Sequence, residues 1–149
     1  MSEPHPLHVQ LISRFQEATT TDDYEIFDEI MVEDYRQIDS MIPDGRDMVK
    51  IFFEETADAL SDKRAEIVDI ISDGEDRFCV RQRLHGRHTG HFFGLEPTGK
   101  ELTMESVDWF TVRDGKLASH FGMSNPLPWL AQIGVIEPGW PFDGAPMPQ

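Results

Sequence analysis

The chain has 149 residues, 28 of them acidic and 13 basic, for a net charge of −15. That length suits one domain with a real core, and a negative field of this size repels phosphate backbones and so excludes nucleic acid as a partner. A single cysteine, Cys79, leaves no internal disulfide and fits a reducing compartment; with no signal-like N-terminus and no apolar run near the ~20 residues of a membrane helix, a cytoplasmic protein without membrane partners is expected.

Three helices are predicted first. After Pro4 and Pro6, the residues Leu7, Leu11, Ile12 and Phe15 recur at helical spacing. Asp22, with Glu25 three residues on, reads as a capping box for a second helix that puts Ile26, Phe27, Ile30 and Met31 on one face. Tyr35 to Asp39 reads as a short extended segment. A third helix opens at Pro43-Asp44-Gly45, with Asp44 as its cap, and buries Met48, Phe52, Phe53, Thr56, Ala57 and Leu60.

Strands follow. Residues 63–72 are rich in Ile and Val and end at an Asp73-Gly74 turn. Residues 77–88 alternate: Phe78, Val80, Gln82, Leu84 and His88 share one face, while Cys79, Arg81, Arg83, His85 and Arg87 share the other. Residues 101–113 and 116–124 form a hairpin through Asp114-Gly115, a dipeptide that tolerates the positive φ of a tight turn. Residues 126–134 form a helical turn. The expected domain is 1–136, and 137–149, with four of the ten prolines, is an extended tail. Helices followed by antiparallel strands make an α+β architecture.

A two-residue loop pairs Arg113 with Lys116 and Val112 with Leu117. Carried on without interruption, it sets Asp108 opposite Phe121 and Ser106 opposite Met123. One face then carries Met104, Ser106, Asp108, Phe110, Phe121, Met123 and Asn125, and the other Glu105, Trp109 and His120. A lone carboxylate on an apolar face needs a reason. A shift of one residue reverses the assignment of the second strand.

Asp108 is therefore the first candidate, as a hydrogen-bond donor or proton shuttle; the alternatives are an acid that serves a backbone or arginine partner, or one that faces water under a different face assignment. Asp39, where the extended segment ends, is a candidate base, although an Asp in a surface turn is commoner. His88 is a candidate acid/base or orienter of a substrate oxygen, or a satisfied structural histidine. His85, His88 and His91 are three apart along an extended chain and cannot converge, so no metal site is expected. Arg81, Arg83 and Arg87 are read as cross-strand partners of Glu101 and Glu105. Phe15, Phe110, Phe121 and Trp129, with Gln82 and Asn125, are the candidate lining of an apolar pocket continuous with the core.

Gly86-x-His88-Thr-Gly90-x-Phe92-x-Gly94-x-x-Pro97-Thr-Gly-Lys100, followed by Arg113-Asp-Gly-Lys-Leu-x-x-His120 and Gln132-x-Gly134, resembles the signature of the SnoaL-like polyketide (ester) cyclases from about Tyr35 to Gly134. The resemblance implies the cone-shaped α+β fold of the nuclear transport factor 2-like superfamily: a strongly bent, mixed or antiparallel sheet with N-terminal helices packed on its concave face. It also implies a homodimer formed through the sheet. The implied chemistry is ring closure by an intramolecular aldol step, with no metal or cofactor, by acid/base residues in an apolar cavity. This chain departs at Phe121, where the family usually has Trp, and at Asn125, where it usually has an acid/base Asp. A family His near the end of the second helix is replaced by Ile38 or Asp39.

The chain also resembles the ketosteroid isomerases of the same superfamily. Their base Asp matches Asp39, their protonated Asp matches Asp108, and the run Phe121–Asn125 is similar to theirs; their tyrosine donor corresponds to Phe15. Together the resemblances imply a cofactor-independent enzyme carrying out enolisation or aldol-type chemistry on a hydrophobic carbonyl compound, with Asp39 as base, Asp108 as donor and His88 as auxiliary acid. The alternatives are a non-catalytic small-molecule-binding member of the same fold, or an isomerase or dehydratase of ketosteroid-isomerase type.

Overall fold

The computed structural model describes residues 3–137. Helix α1, Pro6–Thr21, starts at His5, whose Nδ1 accepts the Leu7 N–H at 3.2 Å, with Pro6 supplying a preset φ at the first turn. It ends at Asp22, which is left-handed at φ 60. Asp22 thus closes a helix rather than opening one, and its carboxylate takes the Tyr24 hydroxyl and the Lys63 ammonium instead of a backbone N–H. Helix α2, Ile26–Ile30, is one turn long and runs straight into strand β1, Met31–Gln37, which starts four residues before the expected extended segment. Helix α3, Arg46–Thr56, begins after Gly45, while Asp44 accepts the Gln37 N–H at 2.7 Å and ties the end of β1 to the helix.

A 3-10 turn, Ala57–Ala59, leads into strand β2, Leu60–Ser72, so Leu60 opens a strand and is not on α3. Strands β3 (Arg77–His88), β4 (Glu101–Arg113) and β5 (Lys116–Ser124) follow, and then helix α4, Pro126–Gln132. The tail expected over 137–149 lies outside the described residues after Glu137. The five strands form one bent, unclosed sheet in the order β1-β5-β4-β3-β2, with β1 parallel to β5 and all other pairs antiparallel. This is the mixed α+β sheet expected, with α1 to α3 on its inner face. No helix among the described residues is long and apolar enough to cross a membrane.

The inner face is held by burial of Phe78, Val80, Phe110 and Leu117 against Ile12, Phe27 and Val49 of the helices. Each such side chain contributes roughly 1.5–3 kcal/mol. Ring stacking runs across the strands from His8 to Phe78 (4.7 Å), Phe78 to Phe110 (5.1 Å) and Phe110 to His120 (4.9 Å). The outer face carries the arginines as ion pairs: Arg81 and Arg83 meet Glu105, and Arg87 meets Glu101 at 3.0 Å.

The hairpin departs from the expected register at one residue. Arg113 pairs with Lys116 and Val112 with Leu117, but Thr111 pairs with Ser119, leaving Ala118 as an extra residue. This β-bulge inverts the faces of everything after it on β5. Asp108 lies opposite Gly122, Phe110 opposite His120, and Phe121 opposite Trp109. His120, expected outside, is inside; Phe121, expected inside, is outside.

The glycine-rich segment between β3 and β4 serves the fold. The Thr89 and Gly90 N–H groups both donate to Ala59 O, at 3.1 and 3.2 Å. A Cβ on Gly90 would lie 2.2 Å from Asp58 O, so only glycine passes there. The His88 Nδ1 accepts the Thr98 N–H at 3.3 Å, the His88 N–H donates to Lys100 O and the Gly99 N–H donates to His88 O, both at 2.8 Å, which fixes the Pro97-Thr-Gly turn. Beyond the end of β5, Gln132 Oε1 takes the exposed Thr103 N–H of β4 at 2.7 Å, and Trp129 and Ile133 of the α4 segment pack on Leu60 and Leu102 as a second core.

His8 yields a test of this packing. It is fully buried, its Nδ1 accepts from the Ser72 hydroxyl at 2.8 Å and its Nε2 donates to Glu75 O at 3.2 Å, so the neutral ring is satisfied on both sides. Burial pushes its pKa below the ordinary 6.5. The unfolded chain therefore binds this proton more readily, and the stability His8 confers is complete above the unfolded value and drains as pH falls below it. Urea unfolding at pH 7 and pH 5 should show a larger loss of stability for the wild type than for His8→Asn; equal losses would contradict the assignment.

Candidate active site

Between α1, α3 and the inner face of the sheet lies a cavity of about 290 Å³, lined by apolar side chains including Phe15, Phe53 and Phe110 and by a polar floor of Gln82, Asp108 and His120. Asp108 projects from the middle of β4 and is only 7% exposed. Its Oδ1 meets His120 Nε2 at 2.8 Å; its Oδ2 accepts from Gln82 Nε2 at 2.9 Å and from the Ser106 hydroxyl at 2.5 Å. Gln82 is oriented by Gln16 of α1, which donates to its Oε1 at 2.8 Å. On the other side, His120 Nδ1 meets Gln37 Oε1 at 2.9 Å, and Gln37 is the residue that pairs with His120 between β1 and β5.

Both partners of the imidazole are oxygens. The ring is thus held at both nitrogens, and the Nε2–Oδ1 contact is a path along which a proton can pass between imidazole and carboxylate. The negative charge of Asp108 reaches its neighbours. Burial first, and Asp108 second, push the Tyr35 phenol well above its ordinary value, and the same two causes in the same order raise the Cys79 thiol.

Gly122 lies opposite Asp108 across the strand pair. A Cβ there would stand 2.6 Å from Asp108 Oδ1 and 2.8 Å from His120 Nε2, so the site needs a bare backbone at this position.

The cavity brings together Phe15, Gln82, Asp108 and Phe110 of the residues singled out in the sequence. It does not bring in the rest. Asp39 sits in an exposed turn after β1, left-handed at φ 51, and does not line the cavity. His88 is fully buried at the far end of β3, six residues and so roughly 20 Å along the strand from Gln82. Phe121 lies on the outer face because of the bulge. Asn125 caps α4, with its Oδ1 accepting the Leu127 N–H at 3.2 Å, and Trp129 packs in the second core 5.8 Å from Phe92. His85 bonds Thr103 on the outer face and His91 pairs with Glu96 in the loop, so these two diverge from His88.

Residues the sequence reading missed are His120, Gln37, Gln16 and Ser106 as members of one network. One signal pointed to the first: His120 is the sole ionisable residue of 117–124 and closes the Arg-Asp-Gly-Lys-Leu-x-x-His run. A larger hollow of about 470 Å³ lies around Arg64, His85, Arg87 and Glu101. Its Arg87 is spent on Glu101 and Gly99 O, and its His85 on Thr103.

Comparison with known proteins agrees with this architecture. No curated protein matches the chain significantly. Among solved structures, TsrD from Streptomyces laurentii is similar at a TM-score of 0.82 and 21% identity, over 91% of this chain and 100% of that one. IdmH from Streptomyces antibioticus, a candidate polyketide cyclase, is similar at 0.72 and 26% identity, over 87% and 99%. An epoxide hydrolase of the LEH-like kind from M. tuberculosis shares the fold at 0.66 and 12% identity, over 87% and 90%. The model of the SnoaL-like polyketide cyclases matches residues 9–133, nearly the whole described chain, and the protein belongs to that family.

Proposed function

We propose that the protein is an enzyme that moves protons on a hydrophobic carbonyl compound, in enolisation or aldol-type chemistry, with Asp108 and His120 as its acid/base pair. The observation that carries this reading is the carboxylate–imidazole contact on the floor of an apolar cavity, with Gln82 and Ser106 both held on Oδ2 of Asp108 and Oδ1 left to His120 and a guest. Such a pair in low-dielectric surroundings can take a proton from the carbon beside a carbonyl while the electrons move onto the carbonyl oxygen. Handing a proton back to that oxygen, or to the alkoxide formed when the enolate carbon attacks a second carbonyl, completes the step. Gln37 and Gln82 hold the imidazole and the carboxylate in line. Similarity to the candidate polyketide cyclase IdmH supports a substrate bearing several carbonyls.

We also infer a homodimer through the outer face of the sheet. There Val107 and Trp109, each 47% exposed, lie beside Met123 at 66% and Ile71 at 64%, flanked by the Arg81–Glu105 ion pair. A second copy of the same face offers matching apolar area and charges of both signs.

Two outcomes follow. Asp108→Asn and His120→Gln should each lower kcat by about a hundredfold to ten-thousandfold with little change in ligand affinity. Turnover undiminished in both removes the acid/base pair, and recovery of a bound metabolite chemically unchanged by the wild type marks a binding protein instead. Sedimentation of the wild type should give a dimer and of Trp109→Glu a folded monomer, and a monomeric wild type would contradict the interface.

A further inference from the structure

An annex to the cavity extends the acid/base reading, on which this inference rests, to the shape of the substrate. Behind Phe52 and Phe53 a second hollow of about 150 Å³ reaches towards Tyr24, Lys63 and Phe92. Thr19, Phe52, Phe53, Leu84 and Met104 line both hollows, and this shared strip is the neck that a guest would pass between them.

The two chambers differ in what they offer a guest. The floor of the first presents Asp108, His120 and Gln37. In the annex, the polar side chains are already engaged with the protein. The Thr19 hydroxyl donates to Gln16 O at 3.2 Å, the Thr56 hydroxyl to Phe52 O at 2.8 Å, and the Tyr24 hydroxyl to Asp22 at 2.6 Å. The Lys63 ammonium is matched by the Asp22 carboxylate and lies 3.5 Å from Ala57 O. No hydroxyl proton is free and no charge is unmatched. Most of the wall is carbon, from Phe52, Phe53, Leu60, Leu84, Phe92 and Met104, so a hydroxyl or carbonyl of a guest placed here would give up water for a largely apolar surface.

We infer that the substrate is two-ended. An oxygen-bearing head meets the Asp108–His120 pair, and a hydrocarbon end, alkyl or aryl and free of hydroxyl and carbonyl groups, passes the neck and fills the annex. At the ~30 Å³ that a water-sized group occupies, the annex holds on the order of five non-hydrogen atoms. A chain oxygenated along its whole length is disfavoured by the annex, and one with a bare terminus is selected.

The test is calorimetric titration of the full-length protein with straight-chain methyl ketones of increasing length, and with the same ketones carrying a terminal hydroxyl. Affinity should tighten by up to about fourfold per added methylene, the ratio that ~0.8 kcal/mol represents, and level off once the annex is full. The terminal hydroxyl should weaken binding at least about fivefold. Thr56→Phe, which fills the annex, should flatten the series while short ketones bind as before, and Thr19→Met at the neck serves if the first variant does not fold. A wild type indifferent to chain length, or a series unchanged by the filling variant that folds, overturns the inference. Titrating His120→Gln separates the two readings. Length dependence retained there supports the annex whatever becomes of turnover. Length dependence absent, with turnover still requiring Asp108 and His120, removes the annex and leaves the acid/base pair standing.

Discussion

One extra residue in β5 decides what the inner face of the sheet contains. Had Ala118 been paired, His120 would lie among the outer-face ions and Asp108 would face the ring of Phe121. With Ala118 left out of the ladder, the imidazole comes inside, stacks on Phe110 and reaches the Asp108 carboxylate. A carboxylate alone on an apolar surface is costly to bury. An imidazole, a primary amide and a hydroxyl placed around it meet its hydrogen-bonding demand with groups that are neutral or share its proton. The bare backbone of Gly122 is the other half of the same arrangement, since a side chain there would occupy the space in which the two groups meet.

The molecule keeps its surplus charge away from this chamber. Most of the arginines and glutamates of the strands face outward and pair across them, where solvent screens them and each pair is worth little. The apolar packing lies instead in the buried side chains and stacked rings beneath α1 and α3. The glycine-rich segment after β3 belongs to that framework as well: His88, Gly90 and Gly99 latch a loop against the 3-10 turn and the returning strand, well away from Asp108. Motif and site are thus separate in space. The glycine-rich segment packs against the 3-10 turn, and the polar residues on the cavity floor come from the middle of β3, β4 and β5.

The alternation of β3 and β4 was legible, because each strand is long and its period of two is uninterrupted; Gln82, Asp108 and Phe110 were placed on one face from sequence alone. So was the tight turn at Asp114-Gly115. The bulge was not, since Leu117-Ala118-Ser119 offers no residue with a special backbone demand, and a slip of one position silently exchanges His120 for Phe121. Asp39 and Asn125 were misplaced for a related reason: the end of a strand and the start of a helix need polar residues for turns and caps, and a short polar side chain in such a place reads like a ligand contact. Asp22 shows the same ambiguity, since it fits both a helix start and, as found, a left-handed helix end. Leu60 fitted the helical period of α3 but belongs to the strand that follows.

The contact between Asp108 and His120 is open to direct observation. Proton and nitrogen NMR of the His120 ring in the intact protein should show a strongly deshielded proton on Nε2, protected from exchange, that disappears in Asp108→Asn while the rest of the spectrum stays native-like. A His120 ring whose Nε2 proton exchanges freely with water, and whose signals do not respond to Asp108→Asn, would contradict the register and with it the site.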